Sequence, residues 1–295
     1  MSRMRMRLVK VIGVAAAMLA ASCRGSATVA TAGVTAAPSS SACTPAAASD
    51  TFTCNEKRIV IESRSGVTLA FDLVEPSSKP KRAVILLSGG DGKLSLTDRG
   101  MDGGASKNFV VRTRQAYASA GLVAAVPDAP SDQPNGLDGD FRSSEAHAED
   151  MRALIVWLDA NYHVPVWMVS TSRGTISAAN AAARLGAQGP KGIVLTSPVT
   201  VSEKGKDSLE RVDLTKITVP CDVISHADDG CPASPHDGAK AMGKAHDWPF
   251  STPRGGSESC TDTKCRCGPA SHHGFEGLDG EVMPTILAFV NGEGR

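Results

Sequence analysis

Ser172 stands in the run Ser170-Thr171-Ser172-Arg173-Gly174, after the apolar stretch Val164-Pro165-Val166-Trp167-Met168-Val169 and before the alanine-rich stretch from Thr175 to Leu185. The first stretch reads as a short buried strand and the second as a helix packed closely on a sheet. A serine on the sharp turn between them has its hydroxyl pushed out over the strand ends, beside the positive end of the helix. Serine is a poor nucleophile until a base takes its proton, so such a residue needs an imidazole within reach. The turn itself demands small residues two before and two after the serine, places held here by Ser170 and Gly174. The same string would also suit a plain helix N-cap. Two later segments supply what chemistry would need: an acidic turn, Cys221-Asp222-Val223-Ile224-Ser225-His226-Ala227-Asp228-Asp229, and then Ser271-His272-His273-Gly274-Phe275.

The intervening elements alternate. Arg58 to Glu62 and Thr68 to Val74 read as an opening hairpin, and Ala83-Val84-Ile85-Leu86-Leu87 is a continuous apolar run suited to a strand covered on both faces. A helix is predicted from about Asn108 to Ala120, then the strand Leu122 to Val126. Ser144 to Tyr162 is amphipathic, with Met151, Leu154, Ile155 and Leu158 on one stripe. After the alanine-rich helix come the strand Gly192 to Thr196 and the acid-bearing strand. A helix then opens at Ser234-Pro235, where Ser234 can cap and Asp237 can stand in for the Glu of a capping box. A last helix lies near Glu281 to Val290. This pattern implies an α/β class, a mostly parallel sheet with helices on both faces.

With the order Ser, Asp, His and the motifs Leu87-Ser88-Gly89-Gly90-Asp91-Gly92, Ser170-Thr171-Ser172-Arg173-Gly174, His226-Ala227-Asp228-Asp229 and His273-Gly274-Phe275, the chain from the hairpin to the last helix resembles an α/β-hydrolase. Ser88 stands where the family commonly has histidine, and Ser170 where it has the first glycine of G-x-S-x-G. The resemblance implies Ser172 as nucleophile and His273 as base, with His272 its neighbour alternative. Asp229 becomes the orienting acid, with Asp228 as its alternative in solvent. The backbone N–H groups of Gly90 and Arg173 become the oxyanion donors. It implies no cofactor and a small acyl substrate, with ester, thioester and amide left open. The stretch from Pro198 to Pro220, where relatives insert a cap, is short and charged, so no large cap domain is expected. The loop from Asp91 to Lys107 is the better candidate for lining a pocket.

The amino terminus sets an address. Arg3, Arg5, Arg7 and Lys10 precede the apolar run Val11 to Ala21, too short for a membrane span and built like a secretory signal. Leu19-Ala20-Ala21-Ser22-Cys23 resembles a bacterial lipoprotein signal, which implies lipidation of Cys23 and a membrane anchor through that lipid. Residues 1–22 are read as signal peptide, 23–50 as a flexible tether poor in core-forming residues, and 51–295 as the hydrolase domain. The expected location is periplasmic or cell-envelope. The 31 basic and 31 acidic side chains are scattered, which argues against a nucleic-acid surface.

Export makes disulfides the expected state of the cysteines. Cys221, inside an apolar strand, reads as a buried thiol. With Cys23 also set aside, the other six could pair in several ways that sequence does not fix. The favoured pairing joins Cys231, just past the acid, to Cys267, just before the histidine, with Cys43–Cys54 and Cys260–Cys265 as the remainder. A competing metal reading would use Cys265, Cys267, His272 and His273 as ligands, although their spacing matches no standard zinc arrangement. A further alternative is a hydrolase-fold binding lipoprotein without catalysis.

Overall fold

The computed structural model describes residues 50–101, 105–202 and 207–293. The predicted signal peptide, Cys23, Cys43 and the tether up to residue 49 lie outside the described residues.

Among the described residues, ten strands and eight α-helices follow one another. The strands are β1 (Glu56–Arg64), β2 (Val67–Val74), β3 (Arg82–Leu87), β4 (Leu96–Thr97), β5 (Gly100–Met101), β6 (Leu122–Pro127), β7 (Val166–Thr171), β8 (Ile193–Thr196), β9 (Cys221–Ile224) and β10 (Phe250–Ser251). The helices are α1 (Phe109–Arg112), α2 (Arg114–Ser119), α3 (Gly139–Arg142), α4 (Glu145–Tyr162), α5 (Gly174–Leu185), α6 (His236–Ala245), α7 (Thr263–Arg266) and α8 (Asp279–Val290). Eight strands form one sheet in the order β1-β2-β6-β3-β7-β8-β9-β10, and β4 and β5 make a small separate hairpin. β1 and β2 run antiparallel, β2 meets β6 antiparallel, and every pairing from β6 through β10 is parallel.

Two apolar layers cover the sheet, and strand alternation divides residues between them. Ala83, Ile85 and Leu87 of β3 join one cluster with Met151, Leu154 and Leu158 of α4 and Ile176 of α5. Val84 and Leu86 of the same strand join the other, with Val110, Tyr117, Phe275 and Ile286. β3 lies between β6 and β7, which explains its unbroken apolar run. β2 instead carries a buried charge: Asp72 Oδ2 lies 3.1 Å from Arg114 Nε, which also donates to Glu56 Oε1 at 2.7 Å. Burial, with Glu56 nearby, pushes the Asp72 carboxyl up to about 7.

Three expectations change. The helix predicted from Asn108 to Ala120 breaks at Thr113 into α1 and α2. Thr113 Oγ1 donates to the Phe109 carbonyl at 2.8 Å, a local bond that competes with the helical ladder. Ser234 does not cap α6: Pro235 holds the cap position, and the buried Ser234 hydroxyl has no hydrogen-bond partner. Asp237 is fully exposed and faces His236 Nδ1 at 3.3 Å rather than closing a capping box. Finally, the edge strand β10 and the β4–β5 hairpin, each strand only two residues long, gave no periodicity to read.

Candidate active site

The parallel strands β3, β7 and β9 end at the same edge of the sheet, so the segments that follow them converge there. They are the loop after Leu87, the turn holding Ser172 and the turn holding Asp229. Ser172 has φ 52°, a left-handed conformation that is strained for a residue with a side chain. The turn is over-determined from all sides. The Ser172 N–H donates to Thr196 O at 3.0 Å, and Thr175 Oγ1 donates to Ser172 O at 2.6 Å. A Cβ at Gly174 would fall 2.2 Å from the Leu87 carbonyl oxygen, so only glycine fits there. A Cβ at Gly89 would fall 2.8 Å from Ser172 Cβ, which lays the β3 loop directly against the serine. Ser170 tolerates its side chain because that hydroxyl donates to Val194 O on the neighbouring strand, at 2.9 Å.

His273 and Asp229 meet. His273 Nδ1 lies 2.9 Å from Asp229 Oδ2 and 3.2 Å from Oδ1, and both side chains are buried. The carboxylate also accepts the Cys231 N–H at 2.9 Å. With Nδ1 carrying its proton toward the acid, Nε2 is the basic nitrogen, and it is buried without a hydrogen-bond partner. His273 and Ser172 line one cleft of about 540 Å³, together with Gly89, Gly90, Phe109 and Pro269. Asp91, Lys93, Ser95 and Ala105 of the long loop also face it.

The alternative partners go elsewhere. Asp228 is exposed. His272 turns away to Glu258 Oε2 at 3.1 Å and stacks on His226, ring centroids 4.3 Å apart. His226 in turn accepts the Asp228 N–H at Nδ1 and donates from Nε2 to the Gly255 carbonyl, both at 3.0 Å. Burial is the main cause that pulls the His226 pKa down, with His272 adding to it.

The base segment is tied at several points. Ser197 Oγ donates to the His273 carbonyl at 2.8 Å, and Arg112 Nη2 donates to the carbonyls of Gly274 at 2.8 Å and Phe275 at 3.1 Å. A disulfide joins Cys231 to Cys267, and another joins Cys260 to Cys265. Cys54 is also disulfide-bonded, whereas Cys43, its expected partner, lies outside the described residues. Cys221 keeps a buried thiol, whose pKa burial pushes well up. The metal set of Cys265, Cys267, His272 and His273 is therefore corrected: both sulfurs are oxidised, and His273 is bound to Asp229.

Gly90 lines the cleft with Ser172 and Arg173 follows the serine, and the backbone N–H of neither meets an acceptor among the described residues. The Arg173 side chain pairs with Asp207 at 2.7 Å. Sequence reasoning missed Arg142, which is 1% exposed beneath the β3 loop. It lies in the polar stretch Asp138 to Ser144, where nothing signals burial.

No protein-family model and no curated protein sequence matches the chain. Solved structures do. An α/β serine hydrolase homologue from Coxiella burnetii matches over 79% of this chain and 96% of its own, with 16% identity and a TM-score of 0.52. The chain has the α/β-hydrolase fold. A thermostable carboxyl esterase from Bacillus coagulans matches over 81% of this chain and 99% of its own, with 14% identity and a TM-score of 0.54. A serine hydrolase without lid from Xanthomonas campestris matches over 81% and 94%, with 14% identity and a TM-score of 0.51. The hydrolase-fold domain likewise carries no large cap among its described residues. Among the described residues between β8 and β9, the helical elements are the short turns Leu209–Arg211 and Leu214–Lys216.

Proposed function

We propose that this protein is an exported serine esterase acting on small acyl esters through an acyl-enzyme. The observation that carries the reading is the buried His273–Asp229 pair, whose unpartnered Nε2 shares a cleft with a serine held at positive φ. In this reading His273 takes the Ser172 proton through Nε2 as Oγ attacks the ester carbonyl. Asp229 holds the tautomer and stabilises the imidazolium that forms. The N–H groups of Gly90 and Arg173 receive the developing oxyanion, and each such donor is worth on the order of 3 kcal/mol in the transition state. His273 then returns the proton to the leaving alcohol, and water repeats the cycle to release the acid. No hydrogen bond joins Ser172 to His273 in the structure; the transfer requires the two side chains to approach as the substrate is positioned.

Export is supported by the basic-apolar leader and by the disulfides of the domain, which suit an oxidising compartment. The deciding experiment is labelling with a fluorophosphonate probe, repeated on Ser172→Ala. Labelling of the native protein and loss in the variant supports the reading. An unlabelled native protein overturns it and leaves a hydrolase-fold binding protein.

A further inference from the structure

We infer that Arg142 is a positioning residue for the oxyanion loop, holding the peptide planes of residues 88–91 so that the Gly90 N–H faces the cleft. The inference rests on the esterase reading and extends it to a residue that touches no substrate.

Arg142 ends the short helix α3, and its guanidinium is enclosed between the β3 loop and α5. Nη2 donates to the carbonyls of Ser88 and Gly90, each at 3.3 Å, and Nη1 donates to Ser177 Oγ at 2.9 Å. No carboxylate lies within ion-pair distance of it among the described residues, and Nε has no partner. Asp207, Asp91 and Asp138 act on it only from a distance, so the cost of burying the cation is offset mainly by the hydrogen bonds it makes. Burial pulls its pKa down, and Arg173 adds to that. The neighbouring His147 is buried with both ring nitrogens unpartnered. Desolvation, with Arg142 beside it, pushes the His147 pKa down to about 3, so it adds no second charge.

The geometry of three consecutive carbonyls makes the case. Arg142 holds those of Ser88 and Gly90, and the Gly92 N–H donates to the Gly89 carbonyl at 3.2 Å. In a trans peptide the N–H points opposite to the C=O of the same plane. Turning the Gly89 carbonyl back toward Gly92 therefore turns the Gly90 N–H the other way. Arg142 fixes the planes on either side of it, which is what prevents a flip. Gly92 makes room for this clamp, since a Cβ there would fall 2.6 Å from Arg142 Nη2. Without the guanidinium, the Ser88 and Gly90 carbonyls would be left unsatisfied beneath the loop and would rotate toward solvent.

The experiment compares the native protein with Arg142→Met, Arg142→Lys and Ser177→Ala on a short activated ester. Alongside kcat and KM it measures the affinity of a boronic acid that mimics the tetrahedral adduct. Arg142→Met should lower kcat by about a hundredfold, the scale of a donor misplaced by about 1 Å. KM should stay within about twofold, and boronate affinity should fall in parallel with kcat/KM, as expected of a group that acts on the transition state. Arg142→Lys keeps the charge but not the two-pronged fork, so its kcat should fall between the two. Should Arg142→Met fail to fold, Ser177→Ala decides: it removes one anchor of the guanidinium and should lower kcat and boronate affinity together by several-fold. Unchanged kcat and boronate affinity in a folded variant, with only the melting temperature lowered, overturns the inference. A native protein that neither hydrolyses the ester nor takes the fluorophosphonate overturns the esterase reading instead.

Discussion

Removing the Cys231–Cys267 bridge should damage stability and turnover by separable amounts. The perturbation is Cys231→Ser with Cys267→Ser, which leaves no unpaired reactive thiol behind. The bridge spans 36 positions, and closing a loop of that length removes unfolded-chain entropy equivalent to about 4 kcal/mol. For a domain of this size that corresponds to a fall of about 10 °C in melting temperature. The effect on catalysis has a different origin. Cys231 donates its backbone N–H to Asp229 Oδ1, and Cys267 lines the cleft a few residues before His273. The bridge thus fastens the acid turn to the base turn at their backs. Freed, the two segments would drift, and a displacement of about 1 Å at the Asp229–His273 contact costs about a hundredfold in rate. Thermal unfolding followed by circular dichroism and steady-state kinetics well below the melting temperature read the two effects independently. An unchanged melting temperature would refute the loop-entropy argument. Normal kcat in the folded double variant would refute the claim that the bridge positions the pair, leaving it a role in stability alone.

Other expectations follow from the same geometry. Ser172→Ala and His273→Ala should each abolish most ester hydrolysis, and Asp229→Asn should be severe but milder, as steady-state rates will show; retained activity in His273→Ala with loss in His272→Ala would exchange their roles. Asp72 has a raised folded pKa, so its share of stability is complete below about pH 4 and is lost as pH rises toward about 7, by an amount on the order of 4 kcal/mol. Asp72→Asn should remove that slope in urea midpoints compared at pH 5 and pH 8, and an identical slope in both proteins would contradict it. Gly174→Ala should prevent stable folding or cost more than about 3 kcal/mol, because its methyl would overlap the Leu87 carbonyl; a soluble, fully active variant would show that the turn can relax. Mass spectrometry of the native amino terminus should find a lipid on Cys23, and an unmodified terminus beyond it would make the protein a plain secreted or periplasmic one.

The parts legible in the sequence were those where one residue type has one physical reading. A continuous apolar run such as Ala83 to Leu87 suits an interior parallel strand, and Gly174 after a strand-end serine suits a crowded turn. The expected triad segments were legible through their order along the chain, and the structure brings Asp229 and His273 into contact. Two departures from the expected motifs are accommodated by local partners. Ser170 bonds across to β8, and His226, in the place of a glycine, lays its ring on His272. What sequence did not show was tertiary. Thr113 stands at a helix break with its hydroxyl bonded to the Phe109 carbonyl, Ser234 is buried rather than capping, and Arg142 sits in a run of polar residues that looks solvent-facing. Two-residue strands such as β10 owe their existence to a neighbour, here β9, and carry no pattern of their own.

Cys221 acquires another meaning when the chain is considered before it folds. In the finished domain its sulfur is sealed in β9, out of reach of any oxidant. In the nascent or reduced chain it is one more thiol, closer along the sequence to Cys231 than the native partner Cys267 is, and short loops close most readily. Oxidative refolding therefore starts with a competitor already present, and a Cys221–Cys231 link would pull the acid turn into the strand that should precede it. Escape from that trap requires reshuffling by thiol exchange while β9 is still accessible. The yield of correctly bridged protein should therefore depend on the race between insertion of β9 into the sheet and oxidation at Cys231, and a redox buffer or a disulfide isomerase should raise it.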